Sequence, residues 1–439
     1  MTLPDAARPQ WHDRANHAAR SVTALFGRKL LLLPGTHLGA VSWSGRSPSG
    51  RSGSGRAAGW LEGLIQGNAI RALFQPWHYW WQAHYVDCLV DTGRRELGGG
   101  ATPAARFNGP DRPSAGRLAS RLVTGIRLRN AFTFVNNYYD DMAWLALATE
   151  RLDRLAGETR RPGRRRNAAV RKSLALQFDS AATTDLGGGV FWSKARDFKN
   201  TPATAPIALF YARTDRQAKA QALLDWLDAT LFDADRGLYL DGVRLNPAGE
   251  VVLERTVYTY NQGPVLGALL ELGGEENLAR VAAVVAAVDR HLTVATPAAP
   301  GSPESAESPE SAESAEPRRI LRCDGNGDGG LFTGILCRYL ALAATEQKLP
   351  EATRETAARL VLDTAEAFWA GRRPLAPEES AGLSPAGRNA SIFSLQAARR
   401  AGETYPPGAA VELSTQLQAW MALEAAAAIA DRRDAAAAA

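Results

Sequence analysis

Residues 136–148 of the chain read NNYYDDMAWLALA. From Met142 onward the run is apolar at helical spacing, which predicts a helix over 142–156 with Asp140 and Asp141 at its N-terminal end. The residues before it are polar and aromatic, as expected of a loop that faces solvent or a ligand. A helix that directly follows such a loop is the pattern that recurs along this sequence.

Helical periodicity dominates the rest of the chain, whereas the strict alternation typical of strands is scarce. The predicted helices cover residues 9–27, 77–92, 116–134, 142–156, 168–177, 203–212, 216–231, 261–272, 275–291, 331–345, 351–370, 388–400 and 411–431. Aromatic, Gly- and Asp-rich loops lie beside several of them, at 187–200, 254–262 and 323–332. This alternation predicts an all-α fold in which about six helical hairpins close into a ring with polar loops at one end.

The chain of 439 residues could hold several domains, but the motifs on both sides of each interruption fit one ring. We expect one main domain over 61–431, preceded at 1–60 by an N-terminal helix and a flexible Gly/Ser/Arg loop. Residues 297–317 repeat acidic Ser-Pro-Glu-Ser-Ala-Glu units, which predicts a disordered insertion. Residues 432–439 form an Ala-rich tail.

Composition argues against several classes of protein. A formal charge of +5, from 51 basic and 46 acidic residues, is too balanced to favour nucleic-acid binding. No run approaches the ~20 apolar residues of a membrane span, so we expect no integral membrane segment. The N-terminal region lacks the layout of a secretory signal, which predicts a cytoplasmic protein as written and leaves secretion open. We expect a monomer.

No metal or cofactor is expected. His78 and His84 lack a third ligand at a telling spacing. Residues 324–329 look like the start of a calcium loop, but Ile335 stands where the bidentate acid belongs. The three cysteines have no zinc or disulfide spacing and are read as free buried thiols: Cys88, Cys323 and Cys337.

The adjacent acids Asp140 and Asp141 are the chief candidates for chemistry. Two neighbouring carboxylates repel each other, and apolar surroundings make ionising both less favourable. Glycoside hydrolysis needs two carboxyl groups in unlike states, one protonated and one ionised, and a helix N-terminus beside a buried acid can supply that difference. The alternative is that both acids merely cap the helix, where acids are common.

The run Tyr139-Asp140-Asp141 with Trp144 resembles the catalytic signature of glycoside hydrolase family 76, the α-1,6-mannanases and related mannan-remodelling enzymes. Other blocks agree in order, at 80–83 (WWQA), 187–192 (GGGVFW), 199–200 (KN), 258–263 (YTYNQG) and 328–334 (DGGLFTG). The resemblance covers about residues 70–425. It implies an (α/α)6 barrel and a retaining mechanism, with Asp140 as nucleophile and Asp141 as acid/base.

Substrate contacts are expected from the polar loops and from the matching blocks. Aromatic faces stack on sugar rings, and amides read sugar hydroxyls through paired donors and acceptors. The candidates are Tyr139, Trp144, Trp192, Asn200, Tyr258, Tyr260, Asn261, Gln262 and Asp328. The alternative is that Tyr258 and Tyr260 are packing residues and that Asn261 is a helix cap. Trp77, Trp80 and Trp81 share one predicted helix, where core packing is the favoured interpretation.

The expected function is therefore hydrolysis of α-1,6-mannosidic linkages in an α-mannan-type oligosaccharide or polysaccharide. A transglycosidase on the same fold would pass the mannosyl intermediate to a sugar hydroxyl instead of water, and sequence does not separate the two. A non-catalytic glycan-binding protein would not need the acid pair. A metal-dependent prenyl or terpene enzyme would need a third acid where Trp144 stands.

Overall fold

The computed structural model describes residues 7–45, 77–159, 164–296 and 318–437 of the chain. Within these ranges, twelve helices of 13 or more residues account for most of the structure. They are α1 Ala7–Phe26, α2 Tyr79–Gly98, α3 Ala115–Arg129, α4 Tyr139–Glu158, α5 Arg164–Ala181, α6 Thr201–Arg213, α7 Gln217–Leu231, α8 Thr259–Leu272, α9 Glu275–His291, α10 Phe332–Thr345, α11 Glu351–Gly371 and α12 Leu413–Ala437.

The even-numbered helices form a closed inner ring. Each contacts the next, from α2 through α4, α6, α8 and α10 to α12, and α12 returns to α2. The odd-numbered helices pack outside them: α3, α5, α7, α9 and α11 each pack against the inner helix that precedes them in the chain, and α1 packs on α12. This arrangement is the (α/α)6 barrel, so the predicted fold class is confirmed.

Small residues allow the inner helices to approach closely. A side chain at Gly263 or Gly267 of α8 would come within 2.8 or 2.7 Å of the Tyr339 ring on α10. At Gly334 of α10, a Cβ would lie 2.7 Å from the backbone oxygen of Gln418 on α12. The abundance of glycine and alanine in this sequence therefore serves the packing of the ring, where helix axes must lie close together.

A buried ionic cluster ties three inner helices together. Arg338 of α10 lies 2.9 Å from Asp87 and 3.1 Å from Asp91 of α2, and Arg151 of α4 pairs with both acids. These four side chains are at most 18% exposed. Such a cluster is stable only as a whole, because removing one member leaves a buried charge without its partner.

The strands are short and lie in the connections between helices. They are β1 Gly27–Arg28, β2 Leu38–Gly39, β3 Ser42–Trp43, β4 Phe198–Asn200, β5 Phe232–Asp233, β6 Leu238–Tyr239, β7 Gly242–Leu245, β8 Val251–Glu254, β9 Thr293–Thr296, β10 Arg318–Leu321, β11 Arg373–Pro374, β12 Ser391–Ile392 and β13 Val411–Glu412. All pairings are antiparallel: β1 with β2, β3 with β13, β4 with β7, β7 with β8, β5 with β6, β9 with β10 and β11 with β12.

The helix predicted over 388–400 is wrong. Only Pro385–Arg388 and Ala401–Thr404 are helical there, each for one turn, and Ser391–Ile392 pairs as a strand with Arg373–Pro374. Side chains satisfy the backbone instead: the Phe393 amide donates to Gln416 and the Leu395 amide to Thr404. Side-chain acceptors of this kind compete with helix formation.

Several sequence expectations lie outside the described residues. They concern most of the Gly/Ser/Arg loop at 44–56 and the acidic segment 297–317. The Ala-rich tail is helical as far as Ala437, since α12 extends to that residue. Among the helices that the structure describes, none combines the length and apolar character required to cross a membrane.

Candidate active site

A cavity of about 1010 Å³ opens where the inner helices begin. The first residues of α2, α4, α8 and α10 line it, as does Asn200, the residue that precedes α6. Each helix N-terminus carries a partial positive charge of about half an elementary charge. Because several helices begin at the cavity, several of these partial charges face it. The acids that line the cavity are Asp140, Asp141, Asp241, Asp324 and Asp328, and the aromatic residues are Trp77, Tyr79, Trp80, Tyr138, Trp144, Trp192, Phe198, Tyr258, Tyr260 and Phe332.

The acid pair lies in the first turn of α4. This helix begins at Tyr139, three residues earlier than predicted, and the preceding Tyr138 makes no side-chain capping bond. One oxygen of Asp140 accepts the Trp192 indole N–H at 3.0 Å, and the other accepts the amide N–H of Asp141 at 2.9 Å. The Asn136 side chain donates to Asp141 at 2.6 Å. Both carboxyls line the cavity.

The surroundings of the pair favour its protonated forms to different degrees. Burial raises the pKa of Asp140 to about 7, although its hydrogen bonds from the Asp141 amide and Trp192 oppose the shift. Burial raises the pKa of Asp141 well above its usual range, and the neighbouring charge of Asp140 raises it further. Near neutral pH, ionisation therefore begins at Asp140, while Asp141 retains its proton.

Asp328 is held by two indoles. Trp80 and Trp81 donate their ring N–H groups to the same Asp328 oxygen, at 2.9 and 2.8 Å. His78 stacks on the Trp81 ring with centroids 4.2 Å apart, and its Nδ1 lies 4.0 Å from that oxygen. The negative charge of Asp328 raises the pKa of both catalytic candidates, Asp140 and Asp141.

Aromatic rings form two groups along the cavity. Tyr260 stacks on Phe332 with centroids 3.8 Å apart, and Tyr258 meets the same ring edge-on at 5.3 Å. Trp192 lies against Tyr138 at 4.9 Å. Trp192 is 36% exposed, which leaves part of its indole open to a ligand. Flat, partly exposed rings of this kind offer stacking faces beside hydrogen-bonding groups.

Three predicted contact residues lie in the wall of the cavity instead of at its surface. Gln262 is fully buried, where its side chain binds the Tyr239 amide and carbonyl. Asn261 is also fully buried, and its amide lies 3.4 Å from Asp241. Tyr139 is 3% exposed. Their side chains are thus withdrawn from the cavity, although Asp140 and Tyr260 of the same first turns line it.

The remaining predicted residues lie on the cavity. Trp144 lines it while being 4% exposed, and Asn200 lines it while its side chain caps α6 through the Ala203 amide at 3.1 Å. Trp192, Tyr258, Tyr260 and Asp328 line it as well. Within the described ranges, no three His, Cys, Asp or Glu side chains are grouped as a metal site would require.

Sequence reasoning missed several lining residues. Trp77 and Trp80 line the cavity while they also pack against the core, whereas Trp81, 1% exposed, is enclosed in it. No sequence pattern points to Asp241 or Arg244, because an isolated acid or arginine between helices has no signature. Burial raises the pKa of Asp241 to about 6. Pairing of β4 with β7 sets Asn200 opposite Gly242 and so brings this connection to the cavity.

Comparison with known proteins assigns the chain to a family. The sequence matches the family described as glycosyl hydrolase family 76 over residues 58–389. The chain belongs to glycosyl hydrolase family 76. It is therefore a glycoside hydrolase, and the family expected from the sequence blocks is confirmed. No curated protein matches the chain.

Solved structures share this fold along nearly the whole chain. The GH76A α-1,6-mannanase of Salegentibacter sp. HEL1_6 has 24% identity and a TM-score of 0.66, over 95% of this chain and 99% of that one. The Lin0763 protein of Listeria innocua has 21% identity and a TM-score of 0.65, over 95% and 97%. A family 76 mannosidase of Bacteroides thetaiotaomicron has 16% identity and a TM-score of 0.61, over 97% and 100%.

Proposed function

We propose that this family 76 hydrolase cleaves α-1,6-mannosidic linkages of α-mannan-type glycans by a retaining double displacement. Asp140 is the nucleophile and Asp141 the general acid and base. The observation that carries the proposal is the unequal environment of two adjacent carboxyls. Asp140 accepts two N–H groups and ionises at the lower pH, whereas Asp141 stays protonated.

Each step assigns one carboxyl one role. In the first step, the Asp140 carboxylate attacks the anomeric carbon while Asp141 gives its proton to the departing glycosidic oxygen. The products are a mannosyl ester on Asp140 and a free sugar hydroxyl. In the second step, Asp141 takes a proton from water as that water attacks the anomeric carbon, which releases the sugar with a mannose at its new reducing end and restores both acids. Two inversions at one carbon give net retention.

The cavity suits an oligosaccharide. Its volume of about 1010 Å³ lies at the upper end of the roughly 300–1,000 Å³ typical of small-molecule sites, so it has room for more than one sugar ring. Aromatic faces at Trp192 and Tyr260 can stack on sugar rings, and the acids can accept hydroxyl protons. This combination supports a neutral, polyhydroxylated ligand.

Relatives support the linkage and the role of the pair. An inactive variant of the Salegentibacter α-1,6-mannanase, with two consecutive aspartates replaced by asparagine, has been solved in complex with α-1,6-mannotriose. A second variant, with the same two aspartates replaced by alanine, has been solved with α-1,6-mannotetrose. Both structures are variants of one protein that is 23% identical to this chain, so the linkage is part of the proposal.

The test compares wild type, Asp140→Asn and Asp141→Asn on α-1,6-linked mannotetraose, with products identified by mass and by NMR of the newly formed anomeric centre. Asp225→Asn is the matched control, because Asp225 is exposed on the outer helix α7. We expect α-configured first products from wild type and control, and losses of 10³-fold or more, to order of magnitude, from either active-site change. First products of inverted configuration would refute double displacement, and products longer than the substrate would identify transglycosylation.

Two further experiments separate the roles of the two acids. Asp140→Ala with azide should yield a mannosyl azide of inverted configuration, because azide replaces the missing nucleophile. Asp141→Asn should keep more activity on 2,4-dinitrophenyl α-mannoside than on mannotetraose, because that leaving group departs without a proton. If Asp140 and Asp141 gave each other's results in these two experiments, the roles of nucleophile and acid/base would be exchanged.

A further inference from the structure

Lys199 is a lysine with no exposed surface. Its ammonium donates to backbone carbonyl oxygens of Thr183 at 3.0 Å, Asp185 at 2.6 Å and Gly188 at 2.6 Å, and lies 3.4 Å from that of Gly189. The Thr183 hydroxyl lies 3.0 Å away as well. We call these five oxygens the carbonyl cradle. An ammonium has three N–H donors, so every one of them is used.

The backbone of the cradle is bent into an unfavourable conformation. Leu186, Gly187, Gly188 and Gly189 have φ values of 53°, 78°, 138° and 72°. Leucine rarely adopts such angles, and four in succession turn the carbonyls toward a common centre. Converging carbonyl dipoles repel one another unless a cation lies between them. Lys199 supplies that cation, and among the described residues it forms no ion pair with a carboxylate.

The segment after the cradle carries the indole that binds Asp140. Trp192 follows Gly189 by three residues, and its amide donates to the Phe198 carbonyl at 2.8 Å. Its own carbonyl accepts the Tyr139 amide at 2.8 Å, and its indole donates to Asp140 at 3.0 Å. The carbonyl cradle thus fixes one end of residues 190–192, and the Trp192 indole at the other end donates to the Asp140 carboxyl.

We propose that Lys199 is a positioning residue for catalysis. Its ammonium fixes the carbonyl cradle, and through residues 190–192 it holds the Trp192 indole on Asp140. The inference rests on the proposed function only in that Asp140 is the nucleophile. The cradle itself is a property of the fold and is tested without any substrate.

The charge of Lys199 is retained near neutral pH. Burial lowers the pKa of Lys199 to about 8, with Asp185 opposing the shift and Arg196 adding to it. Replacement by methionine removes the charge and keeps the length of the side chain. Lys172→Met is the matched control, because Lys172 is exposed on the outer helix α5.

The first readout is ¹⁹F NMR of protein labelled with 5-fluorotryptophan, in which Trp192→Phe identifies the Trp192 resonance. We expect Lys199→Met to displace or broaden that resonance and Lys172→Met to leave it unchanged. Lys199→Ala opens the cradle, and n-propylammonium should restore the Trp192 resonance and raise Tm in this variant alone. An unmoved resonance in Lys199→Met overturns the proposal, as does a failure of the amine to restore Lys199→Ala. This readout holds even if the chain cleaves no mannan.

The second readout is kinetic. Lys199→Met should lower kcat about 10- to 100-fold with KM nearly unchanged, because it loosens one hydrogen bond to a charged group. In a double-mutant cycle, Lys199→Met in the Trp192→Phe background should cost less than about twofold, because both changes act on the same bond. Independent, multiplying losses would show that Lys199 acts by a route other than the bond from Trp192 to Asp140, and would overturn the positioning role.

Discussion

We expect the hydrogen bond from Trp192 to Asp140 to set the lower end of the pH range in which the hydrolase works. In the proposed mechanism Asp140 must be ionised to attack, and its pKa of about 7 already includes a donor that stabilises the charged form. Trp192→Phe removes that donor and keeps an aromatic ring. The charged form becomes less favourable, so the pKa of Asp140 rises and the acidic limb of kcat/KM moves to higher pH.

The size of this shift follows from the geometry of the bond. Hydrogen bonds to charged groups contribute about 1.5–3 kcal/mol, and 1.36 kcal/mol corresponds to one pKa unit. Trp192 is 36% exposed, so water replaces part of the lost stabilisation, and a shift of about one unit is the reasonable magnitude. The midpoint of the limb should therefore move from near pH 7 to near pH 8 in the variant, to the nearest unit.

The assay is kcat/KM for mannotetraose between pH 4 and pH 10, with circular dichroism at each pH to confirm folding. Trp369→Phe is the control, because Trp369 lies on the outer helix α11 away from the cavity. Its pH profile should match that of wild type. An acidic limb in Trp192→Phe that stays in place or moves to lower pH, in folded protein, would refute the claim that this indole stabilises the Asp140 carboxylate.

Other changes give distinct outcomes. Asp328→Asn keeps an oxygen for Trp80 but removes a charge that raises the pKa of the acid pair, so the acidic limb should move to lower pH, opposite to Trp192→Phe. Asp141→Asn should raise Tm, and the increase should grow from pH 5 to pH 8. Because the pKa of Asp141 is raised in the folded protein, the wild type loses stability as the pH rises above the unfolded pKa of about 3.9. Calorimetry at several pH values checks this. Arg338→Met should lower the free energy of unfolding by about 3–5 kcal/mol in urea denaturation, whereas Arg399→Ala, which breaks an exposed pair, should cost under about 1 kcal/mol.

The fold could be predicted from the sequence because the spacing of apolar residues indicates buried helices. The inner helices are buried at nearly every position of their first ten residues, and the outer helices retain one apolar face. The same signal failed at 388–400, where Ile392 and Phe393 are fully buried but Gln416 and Thr404 bind the backbone amides. Spacing of apolar residues records burial, and it does not record which groups satisfy the backbone.

Only part of the candidate site could be predicted from the sequence. The acid pair stood out because two adjacent carboxyls in an apolar run are costly. Gln262 and Asn261 have the composition of sugar-reading residues, yet their amides are turned into the wall of the barrel. Asp241 reaches the cavity through the pairing of two short strands that are distant in sequence. Register between such strands depends on tertiary contacts, which no local pattern encodes.

The barrel also explains what kind of ligand the cavity can take. Five aspartates line it, and Arg244 is the one arginine among the described lining residues. The helix N-termini that converge there lower the cost of these acids without cancelling it, since burial still raises the pKa of Asp140 and Asp141. A ligand bearing phosphate or carboxylate groups beside the pair would add repulsion and raise both pKa values further, which would remove the ionised form of Asp140 that the proposed mechanism needs. In the proposed mechanism a neutral sugar adds no charge and accepts the retained proton of Asp141, so we expect the electrostatics of the closed ring to favour uncharged glycans at the point of cleavage.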